Sequence, residues 1–207
     1  MPNQTNYSII GTRPIRHDGL DKVTGRAIYG ADVRIPGQIW AEVVRSPHAH
    51  ATIENIDATQ ALALPGVIAF VTGTELAEAT TSNATQEVRF QANNVMATHT
   101  AQYRGHAVAA IAAIDRNTAI EAAKLVKVEY KKLTPVLSAN QATSTNAPLV
   151  HPNAEFNHLG ETVKQTNIAA HIKHVIGNTE EGFKQATLII ERTAQLQTVH
   201  QGYVEPH

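Results

Sequence analysis

At 207 residues, 43% hydrophobic and 17% charged, the chain is long and apolar enough to bury a core as one large domain or one domain and a smaller piece. A formal charge of −1, with no block of like charges, argues against a nucleic-acid or anionic-membrane surface. The absence of cysteine excludes disulfides, thiolate zinc sites and a cysteine-held iron–sulfur cluster within these residues.

The first ten residues have neither a basic start nor a long apolar stretch, so they do not read as a signal peptide. No apolar run reaches the roughly eighteen residues of a membrane span, and the expected compartment is the cytoplasm. Residues 39–45 and 51–57 predict short strands bent together at Ser46-Pro47, because proline restricts Ser46 to extended backbone and removes a ladder donor. Residues 58–64 predict a short helix closed by Pro65-Gly66, and residues 67–71 an apolar strand. Thr80 to Asn94 is polar without clear period and reads as a surface excursion.

Residues 107–114 form an unbroken apolar run short enough to be a strand covered on both faces. Residues 115–126 carry the clearest helical pattern: Ala119, Ala122, Ala123 and Val126 share one face, with an Asp or Asn as cap. Residues 126–130 return as a strand. Thr134 to Glu161 is rich in Pro, Asn, Ser, Thr and Ala and reads as a linker. A strand over 171–177 and a helix over 178–186 follow. Leu188 to Val199 alternates, with Leu188, Ile190, Ala194 and Leu196 on one side of a predicted strand.

Three segments, Asp21-Lys-Val-Thr-Gly-Arg-Ala27, Arg45-Ser-Pro-His-Ala-His50 and Leu64-Pro-Gly-Val-Ile-Ala69, occur in an order and at a spacing that resembles the start of the molybdopterin-binding large subunit of the xanthine dehydrogenase/aldehyde oxidase family. The similarity continues into Val199-His-Gln-Gly-Tyr-Val-Glu-Pro-His207. It implies an α+β fold: an arm at 1–18, an a/b hammerhead domain with a mixed sheet and packed helices at 19–136, a linker at 137–166, and the truncated beginning of a molybdopterin-binding domain at 167–207.

The complete enzyme that the resemblance implies is a molybdenum hydroxylase oxidising an aldehyde or N-heterocycle, with water as oxygen source and molybdopterin cytosine dinucleotide as cofactor. Its partners would be the remainder of the molybdopterin subunit and iron–sulfur and FAD subunits. The family's dinucleotide-binding loops, pterin segments and catalytic glutamate lie beyond residue 207, so this chain alone is expected to be inactive and to hold no cofactor. One departure stands out: Gly105-His106-Ala107 replaces the family's usual Gly-Glu-Pro or Gly-Gln-Pro.

No nucleotide-binding glycine motif, Gly-x-Ser-x-Gly elbow or His-Glu-x-x-His sequence is present, and no catalytic residue is assigned. The pairs His48/His50 and His171/His174 lack a carboxylate at a metal-ligand spacing, so they read as structural and no metal site is expected. His48 and His50 are instead expected to hold a turn by hydrogen bonds to backbone. Gly25 reads as a left-handed turn glycine between solvated Lys22 and Arg26.

The resemblance places a glutamine near the metal's oxo ligand in a completed pocket, with Gln201 the best match and Gln197 the alternative. An amide suits that role because it donates a hydrogen bond without adding charge. The apolar side of the last predicted strand implies self-association, or binding of a complementary fragment, through residues 188–207. The rival reading is a non-catalytic interaction or scaffold module, or a split-subunit remnant of the same family.

Overall fold

The computed structural model describes residues 8–81, 85–197 and 199–202. The chain divides into two compact units, residues 39–190 and residues 1–38 with 191–207.

An apolar strand without polar side chains must be covered on both faces. Residues 107–113 meet that requirement as β5 (Ala107–Ala113), the middle of an antiparallel sheet between β1 (Trp40–Arg45) and β3 (Val67–Thr72). Its alanines leave room for helices to approach the sheet. Ala58 and Ala61, at α2 (Thr59–Leu62), and Ala122 and Val126, at α5 (Arg116–Leu125), close on Ile111. Asp115 caps α5 as predicted, its carboxylate accepting from the Thr118 amide at 2.9 Å and the Thr118 hydroxyl at 2.7 Å. Those two bonds hold the carboxyl below its usual range.

A second sheet has β2 (Ala51–Asp57) between β4 (Thr100–Ala101) and β6 (Lys127–Lys132). Ile56 and Val128 from this sheet pack on the Ile111 cluster. The predicted corner at Ser46-Pro47 is present, but it sends the chain from the first sheet to the second rather than joining neighbours of one sheet. The strand–helix–strand run β5–α5–β6 makes the same transfer.

Residues 80–94, expected as an irregular excursion, contribute to two helices, α3 (Gly73–Thr81) and α4 (Gln86–Val95); residues 82–84 lie outside the described set. Thr85 caps α4 by accepting from the Val88 amide. The helical period is weak because α4 is mostly polar, with Val88 and Val95 exposed. Gly73 has a packing reason: a Cβ there would lie 2.1 Å from the Ala97 carbonyl oxygen.

Residues 137–166, the linker that the family resemblance implies, carry α6 (Ala139–Ala142) and the hairpin of β7 (Glu155–His158) and β8 (Glu161–Lys164). Amide side chains order this stretch where hydrophobic periodicity does not. Asn167 accepts from the Val150 amide at 2.9 Å and donates to the Ala142 and Pro148 carbonyls at 3.2 and 2.9 Å. Gln141 bridges the Leu137 amide and the Pro135 carbonyl in the same way.

The strand expected over 171–177 is reduced to β9 (Ala170–His171), paired in parallel with β7. Helix α7 (Thr179–Gln185) forms as predicted, capped by Asn178. The strand predicted over 188–199 is not formed among the described residues. Leu188, Ile190, Leu196 and Val199 are exposed there, and no partner strand completes a ladder.

In the other unit, α1 (Gly19–Thr24) ends at Gly25, whose φ of 72° is the left-handed turn predicted for it. Lys22 pairs with Asp18 at 3.1 Å and Arg26 with Asp21 at 3.2 Å, both at the surface. Hydrogen bonds from Arg16 and then Lys22 lower the Asp18 carboxyl to about 2.

Candidate functional site

The signature 45–50 sits where β1 hands over to β2, and Arg45, Ser46 and His50 fasten it to distant segments. The Ser46 amide donates to the His106 carbonyl at 2.9 Å, and the Gly105 amide returns a bond to the Ser46 carbonyl at 2.8 Å. Arg45 donates to the Gly105 carbonyl at 3.0 Å. The buried Ser46 hydroxyl accepts from the His48 amide at 3.1 Å and donates to the His48 carbonyl, which tightens the bend after Pro47.

His50 Nδ1 lies 2.8 Å from the Thr134 carbonyl, which can only accept, so the ring carries its proton on Nδ1. The His50 carbonyl accepts from the Leu133 amide, closing the end of β6 onto the corner. The expectation of a histidine bonded to backbone is met by His50. His48 takes a different role, presenting its ring edge-on to Tyr130 at 5.2 Å. The Tyr130 hydroxyl is buried close to Ser46 without a hydrogen bond of good geometry, and burial raises its pKa, with Ser46 opposing the shift.

A second polar cluster begins at His106, which is wholly buried. Its Nδ1 accepts from the Gln102 amide at 3.2 Å and its Nε2 donates to the Asn94 carbonyl at 3.1 Å. The ring stacks on Tyr103, centroids 4.3 Å apart. A protonated ring would aim an N–H at the Gln102 N–H, so this geometry holds the neutral form. Burial lowers the His106 pKa, with the Asn94 carbonyl opposing. The Gln102 side chain then reaches His151 Nδ1 at 3.0 Å and the Val150 carbonyl at 3.1 Å. Burial also lowers the His151 pKa. Phe90 and Phe156 meet edge to face beside His151, lining an open pocket of about 640 Å³.

Residues 24–134, which contain this corner and both sheets, match the family model described as aldehyde oxidase and xanthine dehydrogenase, a/b hammerhead domain. The chain belongs to that family. It is 31% identical over 197 residues to the xanthine dehydrogenase molybdenum-binding subunit of Escherichia coli O157:H7, covering 92% of this chain and 25% of that one. It is similar in structure to the Cu,Mo-CO dehydrogenase in its carbon monoxide reduced state, at 28% identity and a TM-score of 0.66, covering 86% of this chain and 23% of that one. Quinoline 2-oxidoreductase of Pseudomonas putida 86 matches at 31% identity and a TM-score of 0.58, covering 66% of this chain and 18% of that one. The chain spans about a quarter of the length of the relatives it matches.

Within this hammerhead chain the family signature is a structural clasp between two sheets. Gln197 and Gln201 are both exposed. Near Gln201 the Gly202 amide donates to His200 Nδ1 at 3.0 Å. The described residues around the two glutamines build no cradle for a molybdopterin. His171 and His174, paired by spacing, are not brought together. His171 instead touches His158, ring nitrogen to ring nitrogen, a contact that spacing alone does not reveal.

Proposed function

We propose that this chain supplies the hammerhead part of the large subunit of a molybdenum hydroxylase, with residues 19–136 as that domain and residues 167–207 as the first part of the molybdopterin domain. Residues 137–166 connect the two. The observation that carries this reading is the Arg45–His50 clasp, folded onto Gly105-His106 inside the residues that match the family model. The completed enzyme oxidises an aldehyde or N-heterocycle with water as oxygen source. It would use molybdopterin cytosine dinucleotide and pass electrons to iron–sulfur and FAD subunits. In that assembly Gln201, or Gln197, offers an amide donor toward the metal centre.

The exposed apolar side chains of Leu188 and Ile190 in one unit, and of Leu196 in the other, support surfaces that the rest of a large subunit, or a second copy, covers. The test is expression in a molybdopterin-making host, alone and together with the remainder of a large subunit of this family. The isolated chain is expected to contain no molybdenum and the completed pair to contain it and to hydroxylate. Stoichiometric molybdenum in the isolated chain overturns the assignment. A soluble chain that neither joins a complement nor gains metal supports the interaction-module reading.

A further inference from the structure

We propose that the β8–β7–β9 sheet carries a binding site for a borderline divalent metal ion, held by His158 Nε2 and His171 Nδ1 and completed by Glu161. The proposal is independent of the hydroxylase reading, and it departs from the expectation that the chain has no metal ligands. His158 lies directly opposite His171 in the parallel β7–β9 pair, and opposite Glu161 in the antiparallel β7–β8 pair. Residues in one row across a sheet share a face, so the register puts two histidines and one glutamate in a single row there. The two rings meet through Nε2 and Nδ1, with centroids 4.5 Å apart.

The backbone around them is specific. Leu159 and Gly160 form the turn with φ of 55° and 91°, which brings Glu161 back beside His158. The Leu159 amide donates to the His171 carbonyl at 2.9 Å, fixing the two histidine-bearing strands together at the row itself. At the far end of the hairpin, Lys164 pairs with Glu155, so that cation is held away from the histidines.

Two neutral imidazoles in contact share a single proton between two nitrogens. A zinc-like ion instead takes both lone pairs at about 2.0–2.1 Å, with carboxylate and water filling the remaining positions. A modest opening of the two rings admits it. Among the described residues no three such side chains already converge, so metal binding would require the exposed Glu161 side chain to swing toward the two rings.

The experiment is calorimetric titration of the full chain with Zn²⁺, with Cu²⁺ electron paramagnetic resonance as a second readout. One site is expected, with a copper spectrum showing two nitrogen ligands. Outer-shell losses at metal sites cost about 10–100-fold in affinity, so loss of a direct histidine ligand is expected to cost at least about 100-fold. His158→Gln and His171→Gln should each show that loss and leave one nitrogen in the spectrum. Glu161→Gln should weaken binding less than either histidine change, because an amide oxygen is a poorer donor than a carboxylate, with both nitrogens kept. His174→Gln should bind as the parent chain does. Far-UV circular dichroism confirms that each variant folds. No zinc binding by the parent chain, or undiminished binding and an unchanged spectrum in the folded His158→Gln/His171→Gln double variant, would overturn the site.

Discussion

Residues 107–113 and 188–196 are both rich in apolar side chains and both predict a strand, yet only the first forms one. Ile111 is 0% exposed at the centre of β5, whereas Leu196 is 91% exposed. β5 is paired along both edges, by β1 and β3, and α2 and α5 supply cover over Ile111. The later segment has a favourable alternation but, among the described residues, no strand pairs with it. A lone strand leaves its backbone donors and acceptors to water and buries little, so pattern alone does not hold it in shape. Apolar pattern names the face to be buried; a neighbour decides whether burial happens.

The contrast is broken most directly at Ile111. Ile111→Ala should lower unfolding free energy by about 2–5 kcal/mol in chemical denaturation, through lost transfer energy and a residual cavity. A loss below about 1 kcal/mol would show that β5 is not the centre of the core.

Next in size is the amide-held stretch, intermediate between these extremes. Asn167→Ala leaves the Val150 amide and two carbonyls short of a partner, and should cost about 1–3 kcal/mol. Hydrogen exchange should quicken over 139–168 while β5 stays protected.

The buried imidazoles sharpen the comparison through pH. His106 and His151 have folded pKa values below the ordinary 6.5, so below about that pH the unfolded chain binds protons that the folded chain refuses. Stability should be flat above the ordinary value and fall as pH drops below it. His106→Gln should shallow the slope of melting temperature between pH 7 and 5; an unchanged slope would remove His106 from the account.

Smaller effects are expected at the surface. Leu159 is a bulky residue at φ 55° and half exposed, so Leu159→Gly should stabilise by roughly 1 kcal/mol through relief of left-handed strain. Replacing Ile190 and Leu196 with Lys should change folding free energy by less than about 0.5 kcal/mol. The same change should raise the monomer fraction in sedimentation. A parent chain that is already monomeric at high micromolar concentration, with 188–199 protected from exchange, would show that the segment is covered internally.

The sequence by itself determined the family signature, the corner at Ser46-Pro47, the buried strand at 107–113, the Asp115-capped helix and the left-handed turn at Gly25. Each rests on short-range chemistry: fixed proline geometry, an unbroken apolar run, a cap three residues from its partner, a glycine with φ above zero. Tertiary structure alone decided that β1 and β2 enter different sheets, that Gly105-His106 fastens the 45–50 signature, and that Gln102, Gln141 and Asn167 order what composition marks as a linker. It alone set His158 against His171 across thirteen positions of sequence. Hydrogen bonds between distant amides and carbonyls leave no period along a chain, and strand register becomes readable only when both partners are in place.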